Sequence, residues 1–121
     1  MNNFKLCNIP TFRDSHGILS VLDGTLPFKI ARVFWIYGSD NQIRGGHRHH
    51  KTQQALIAIK GTVDIYMNNG ISSATISLSS PGQYLLVKPE DWHTMKFGQD
   101  AVLLVFASHE YDISDYIDQP Y

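Results

Sequence analysis

From Lys29 to Ala107 the chain is a succession of short apolar or alternating runs, each cut off by turn chemistry before it could fill a helix. That cadence restricts the fold more than any other feature of the sequence. Lys29 to Tyr37 is rich in β-branched and aromatic residues (Ile30, Val33, Phe34, Trp35, Ile36) and stops at Gly38-Ser39-Asp40-Asn41. Ala55 to Ile59 is a continuous apolar run ended by Lys60-Gly61. Val63, Ile65 and Met67 then alternate with Asp64 and Tyr66, the pattern of a strand with one buried face. Asn68-Asn69-Gly70 predicts a tight hairpin, because Asn-Gly readily supplies the positive φ angles of a type I′ turn. Thr75 to Leu78 predicts the next strand and Ser79-Ser80-Pro81-Gly82 a second turn. Tyr84 to Val87 predicts a further strand, broken by Pro89, and Ala101 to Ala107 one buried on both sides. No segment reads as a convincing helix. Strands at this density with tight turns predict an all-β sandwich or barrel.

A chain of 121 residues is long enough for one hydrophobic core and too short for two, so residues 1–121 are read as a single domain. Its formal net charge is −1, with no basic stripe, which leaves no electrostatic footprint for nucleic acid or an anionic membrane. The longest apolar run, Ala101 to Ala107, is far too short to span a bilayer, and the first ten residues hold no apolar core of leader-peptide length. Cys7 is the sole cysteine, so no intrachain disulfide can form, and a cytoplasmic location is expected. The segment from Tyr111 to Tyr121, rich in carboxylates and tyrosines, fits either a short docking segment or a loose tail.

The chemistry concentrates in Arg44-Gly45-Gly46-His47-Arg48-His49-His50-Lys51-Thr52-Gln53-Gln54. In a strand, alternate side chains share a face, so His47 and His49 point one way while Arg48 and His50 point the other. Two imidazoles converging on one surface make either a metal site or an acid/base site. The spacing His-x-His, four residues, Gln54, six residues, Gly61 resembles the first motif of the cupin superfamily. Gly82, Pro89 and His93 resemble its second motif, although Asp91 stands where a glycine is expected. Metal-dependent cupins usually carry glutamate at the place of Gln54. A neutral amide oxygen binds a divalent ion more weakly than a carboxylate, yet three imidazoles alone still bind Zn²⁺. Gln54 therefore lowers the metal reading without removing it.

A narrower resemblance joins four segments in register. Arg44-Gly45-Gly46-His47…His49…Gln54 resembles the signature of the dTDP-4-oxo-6-deoxyglucose 3,4-ketoisomerases, small cupins that carry no metal. Pro27 to Tyr37 before it, Trp92-His93-Thr94-Met95 after it, and Tyr111 to Ile117 near the end match in order and spacing, from about Phe12 onward. Two departures stand out: Arg48 replaces a small residue between the histidines, and the chain ends soon after Asp118, where the family usually has an arginine and a longer tail. The resemblance implies a cupin fold (a double-stranded β-helix or jelly-roll barrel), no cofactor and no metal. It implies a dTDP-linked 4-oxo-6-deoxyhexose as substrate and a homodimer with swapped N-terminal strands. A metal-dependent cupin enzyme and a non-catalytic sugar-binding cupin are the alternatives.

The implied reaction moves a ketone from C4 to C3 of the hexose through an enediol or enediolate. It needs a group that titrates near neutrality and donors aimed at the oxygen that becomes negative. His47 is the candidate base at C3 and His49 its partner, with the two roles open to exchange. Tyr37 is a candidate donor to a sugar oxygen or to C4, or else a strand-end anchor. Arg44 is a candidate for the pyrophosphate or the oxyanion, since guanidinium presents a planar fork to such groups. Arg32, in a mostly apolar strand, faces either the interior and a phosphate or an outward carboxylate. Gln54 orients a catalytic histidine or contacts the sugar. His93 is a hydrogen-bonded wall residue or a contributor to the site, and His16 sits in a turn resembling a substrate-adjacent part of the family. His50 and His109 receive no role.

Overall fold

The alternating runs form two antiparallel five-stranded sheets in the computed structural model, which describes residues 4–121. The strands are β1 (Lys5–Asn8), β2 (Thr11–Asp14), β3 (Gly17–Ser20), β4 (Arg32–Ile36), β5 (Ile43–His49), β6 (Gln54–Lys60), β7 (Val63–Asn68) and β8 (Ser73–Leu78). They continue with β9 (Gln83–Val87), β10 (Trp92–Phe97), β11 (Val102–Ala107) and, after a 3-10 turn at Ile113–Asp115, β12 (Tyr116–Ile117). One sheet has the order β1-β9-β6-β11-β4 and the other β12-β5-β10-β7-β8, while β2 and β3 form a separate hairpin. From β4 onward the chain mostly crosses between sheets at each connection. That is the winding of a double-stranded β-helix, the cupin fold.

The alternation in β7 decides its register. Val63, Ile65 and Met67 are fully buried between the sheets with Leu56, Leu85, Phe97, Leu103 and Val105. A slip of one residue would turn all three outward, and each apolar side chain of this size contributes about 1.5–3 kcal/mol by leaving water.

The expectation of one core needs amending. A second apolar cluster lies on the outer face of the first sheet, where Ile9, Ala55, Ile57, Tyr84 and Leu86 are buried and Leu22, Leu26 and Phe28 pack over them. Residues 4–30 hold enough apolar side chains to fold across that face. This explains β11, whose Leu103 and Val105 enter the inner core while Leu104 and Phe106 lie half-buried against the outer one.

Two local expectations also change. The strand expected from Lys29 begins at Arg32, after Ala31 has bonded to the Ala107 carbonyl at 2.9 Å. The hairpin after β7 is not a two-residue type I′ turn: Asn68 pairs with Ser73, leaving residues 69–72 as the loop, and Gly70 is its one residue at positive φ (87°). The Asn69 side chain accepts from the backbone of Ile71 and Ser72, at 2.9 and 2.8 Å, which supports the wider loop. Among the described residues no helix is long and apolar enough to cross a membrane.

Candidate active site

The double glycine ahead of the histidines creates a β-bulge. In the ladder between β5 and β10, Gly45 faces Thr94 and His47 faces His93, so Gly46 is the extra residue. Both glycines have positive φ, 89° and 83°. A Cβ on Gly45 would lie 2.9 Å from the His93 carbonyl oxygen, so only glycine lets the strands approach this closely. The bulge re-aims β5 just before His47. Beyond it, His47 and His49 share the inner face as the alternation predicts, and Arg48 faces out.

Three imidazoles meet there. The His47 ring centroid lies 5.1 Å from that of His49 and 5.2 Å from that of His93, each edge to face, and His49 and His93 are 6.4 Å apart. His49 and His93 are buried, while His47 is half-exposed. His93 Nδ1 lies 3.1 Å from the Asp91 backbone carbonyl. A carbonyl only accepts, so Nδ1 carries the hydrogen and Nε2 keeps a free lone pair. Both ring nitrogens of His49 are buried with no protein partner.

Burial pushes the His47 imidazole below its ordinary value, with Asp118 pulling it back up. Burial lowers His49 to about 4, with His47 and Arg32 adding to the effect and Asp115 opposing it. Burial likewise lowers His93 to about 4, helped by the other two imidazoles and opposed by the bond to Asp91. All three are therefore uncharged at neutral pH and able to accept a proton. Among the described residues, no group of three or more His, Cys, Asp or Glu side chains is arranged to hold a metal ion.

A cavity of about 180 Å³ opens beside them, lined by His47, His93, Gln54, Arg44 and Tyr116 with Phe34, Ile36, Met95 and Val105 as apolar walls. That is smaller than the roughly 300–1,000 Å³ that encloses a drug-sized ligand. It suits a single sugar ring, with anything attached to the ring lying at the mouth. Larger grooves of about 520 and 440 Å³ run beneath the β2–β3 hairpin, but neither carries a titratable pair.

Arg44 reaches the cavity from β5 although it is exposed. Arg32 begins β4 near enough to His49 to lower its proton affinity, its guanidinium lies 5.7 Å from the Tyr111 ring centroid, and its Nε is buried and unpartnered. The structure does not bring Tyr37 to this cavity. Phe34 and Ile36 point inward from β4, so Tyr37 follows the outward alternation of Val33 and Trp35, is 69% exposed, and borders a shallow groove with Lys60 and Asp100. His16 is also apart from it, at the tip of the β2–β3 hairpin, with its side chain 92% exposed and 3.9 Å from Asp14.

The FdtA, WxcM-like C-terminal family model matches residues 2–121. The chain belongs to this family. It is 36% identical, over 95% of its own length and 86% of the relative's, to a TDP-4-oxo-6-deoxy-alpha-D-glucose-3,4-oxoisomerase of Aneurinibacillus thermoaerophilus. It superposes with a TM-score of 0.91 on a mutant of the 3,4-ketoisomerase QdtA from Thermoanaerobacterium thermosaccharolyticum in complex with TDP-4-keto-6-deoxyglucose. That match has 34% identity and covers 98% of this chain and 89% of that one. The fold alone extends further, to a dTDP-6-deoxy-D-glucose-3,5-epimerase of Legionella pneumophila, with a TM-score of 0.81 at 10% identity over 96% of this chain and 72% of that one.

Sequence reasoning missed Tyr116. Its ring packs 4.7 Å from His47 and 4.8 Å from His49, centroid to centroid. The signal lay in the segment from Tyr111 to Ile117, which matched the family without any residue in it being given a task. Pairing of Tyr116 with His49 and Ile117 with Arg48 makes that segment an edge strand, which settles it as a docked element rather than a loose tail.

Proposed function

We propose that this protein is a cytoplasmic, homodimeric sugar-nucleotide isomerase that moves the ketone of TDP-4-oxo-6-deoxyglucose from C4 to C3 without a metal ion. One observation carries the reading: the neutral imidazoles of His47 and His93 line a cavity that fits one sugar ring and is bordered by Arg44, with the His49 ring packed 5.1 Å from that of His47. Membership of a family with 3,4-ketoisomerase relatives supports it.

The hexose enters the cavity and the diphosphate stays at its mouth, within reach of Arg44 and Arg32. The negative charge of the phosphates raises the proton affinity of the nearby imidazoles, which burial alone holds low. His47, which lines the cavity, takes the proton from C3. The electron pair left behind forms the C3–C4 double bond, and the C4 oxygen becomes an enediolate oxygen facing Arg44. His49 passes the proton of the C3 hydroxyl to that oxygen. A proton then returns at C4 as the ketone forms at C3. Gln54 and His93 offer an amide and a fixed-tautomer ring to the sugar hydroxyls.

Proton NMR of TDP-4-oxo-6-deoxyglucose with the metal-stripped protein in D₂O tests this. The expected result is a 3-oxo isomer with deuterium at C4. His47→Asn should abolish exchange at C3 while leaving TDP affinity within about twofold, since the amide keeps size and polarity but takes no proton. If exchange stops only in His49→Asn, the two histidines trade roles. Turnover that returns only when Fe²⁺ or Zn²⁺ is restored would overturn the metal-free reading.

A further inference from the structure

The C-terminal segment from Asp112 to Tyr121 crosses the histidine strand on both of its faces. Inside, Tyr116 stands against His47 and His49 and lines the cavity. The residue before it, Asp115, is buried and bonded through its carboxylate to the Lys51 backbone N–H at 2.9 Å and to the Thr52 hydroxyl. The Asp115 carbonyl accepts from the His50 N–H at 2.9 Å. Outside, Arg48 lies between the two histidines in sequence but on the opposite face. Its Nε donates to the Gln119 carbonyl at 3.1 Å and its Nη1 to the Tyr121 hydroxyl at 3.3 Å, with the guanidinium 4.3 Å above the Tyr121 ring. The Tyr121 hydroxyl in turn donates to the Glu90 carbonyl at 2.7 Å, on the turn leading to His93. Arg48, the arginine that departs from the family pattern between the histidines, thus clasps Gln119 and Tyr121.

Resting on the ketoisomerase reading of the cavity, we infer that this C-terminal strap is a positioning part of the active site. Tyr116 is the wall that keeps water from the paired imidazoles, and Asp115 and the Arg48–Tyr121 clasp hold it in place. An aromatic ring packed edge-on against both rings replaces the water that would stabilise their charged forms. The groups facing the pair are His93 from β10, Arg32 from β4, Arg44 from β5, and Asp115 and Asp118 from the strap itself. The carboxylates of the strap favour protonation, so an opposite, proton-attracting outcome is available if the wall has no effect.

The test is a titration of the histidine ring protons by NMR, alongside kcat from pH 5 to 9, in wild type and three variants. Tyr116→Ala should raise the titration midpoints of His47 and His49 toward the ordinary imidazole value. Because the neutral ring is the base, the loss of kcat relative to wild type should then be about tenfold greater at pH 5.5 than at pH 8. Tyr116→Phe keeps the ring and should keep the wild-type midpoints. Arg48→Ala touches only the outer face and should shift them the same way as Tyr116→Ala, by less. Unchanged midpoints in a folded Tyr116→Ala, or a loss of kcat equal at all pH values, would overturn the inference. If Tyr116→Ala does not fold, unchanged midpoints in Arg48→Ala overturn it instead. A wild-type protein that turns over no TDP-4-oxo-6-deoxyglucose would sink the functional reading, while the titration would still report on the strap.

Discussion

His49 and His93 are 3% and 1% exposed, and burial, the largest cause, brings each to about 4 from 6.5. The unfolded chain therefore binds protons that the folded chain refuses between pH 6.5 and 4. The stability these rings allow is complete above pH 6.5 and is lost as pH falls through that window, by roughly 3 kcal/mol for each ring. Two carboxyls act differently. Burial raises Asp91, so its contribution declines as pH rises above its ordinary value of 3.8, opposing the histidines. Asp115 is lowered because the Thr52 and Lys51 donors and His49 outweigh its burial, so what it adds is lost only below 3.8. A steep fall in urea midpoint between pH 6.5 and 4.5 is expected, flattened in His93→Gln. Equal midpoints at pH 7 and 4.5 would show that these rings are not held neutral by the fold.

The strand that carries the histidines depends on a defect in its own ladder. Gly45 and Gly46 turn β5 so that His47 meets His93 across the pair rather than facing away. Gly45→Ala places a methyl group 2.9 Å from a backbone oxygen at a φ that L side chains rarely adopt. The expected cost is about 1–3 kcal/mol of stability. Restoring regular pairing would also misplace His47, so kcat should fall more than tenfold while Tm drops by about 4–12 °C. A variant that loses stability but keeps full kcat would show that the bulge serves packing alone. The double glycine was visible in the sequence as close backbone approach, but the bulge itself was not, because its partner Thr94 lies about fifty residues away. The wider loop after β7 went unread for a similar reason: the Asn69 side chain bonds three residues on and overrides the local Asn-Gly preference.

At the scale of the whole molecule, the outer face of the first sheet is incompletely covered. Val33, Trp35 and Ile59 are 46%, 59% and 46% exposed around the half-buried Leu104 and Phe106, and Phe12, Ile18 and Leu19 project from the β2–β3 hairpin at 61–64%. An apolar face of this kind is where the proposed second copy would dock. In this single chain β1 pairs with β9 of the same molecule, Lys5 opposite Leu86 and Asn8 opposite Gln83, a pairing that strand exchange would repeat between copies. Light scattering on the eluting protein should give twice the chain mass for wild type and the single mass for Trp35→Glu, with an unchanged β spectrum. Wild type eluting at the single-chain mass would remove the homodimer from the proposal.

The sequence by itself determined the all-β character, the strands β6 to β9 and β11, and the shared face of His47 and His49. Each follows from an alternation of period two or a turn residue, signals that act over a few positions. Tertiary structure decided the rest. It kept Tyr37 out of the cavity, because the pairing of β4 with β11 turns Phe34 and Ile36 onto the inner core and so leaves Val33, Trp35 and Tyr37 outside. It lowered the imidazoles, because burial depends on the opposing sheet. It gave Tyr116 and Arg48 their places, because β12 reaches β5 only after the chain has wound through both sheets. Contacts between residues some seventy positions apart, as between Arg48 and Tyr121, leave no periodic trace along the chain.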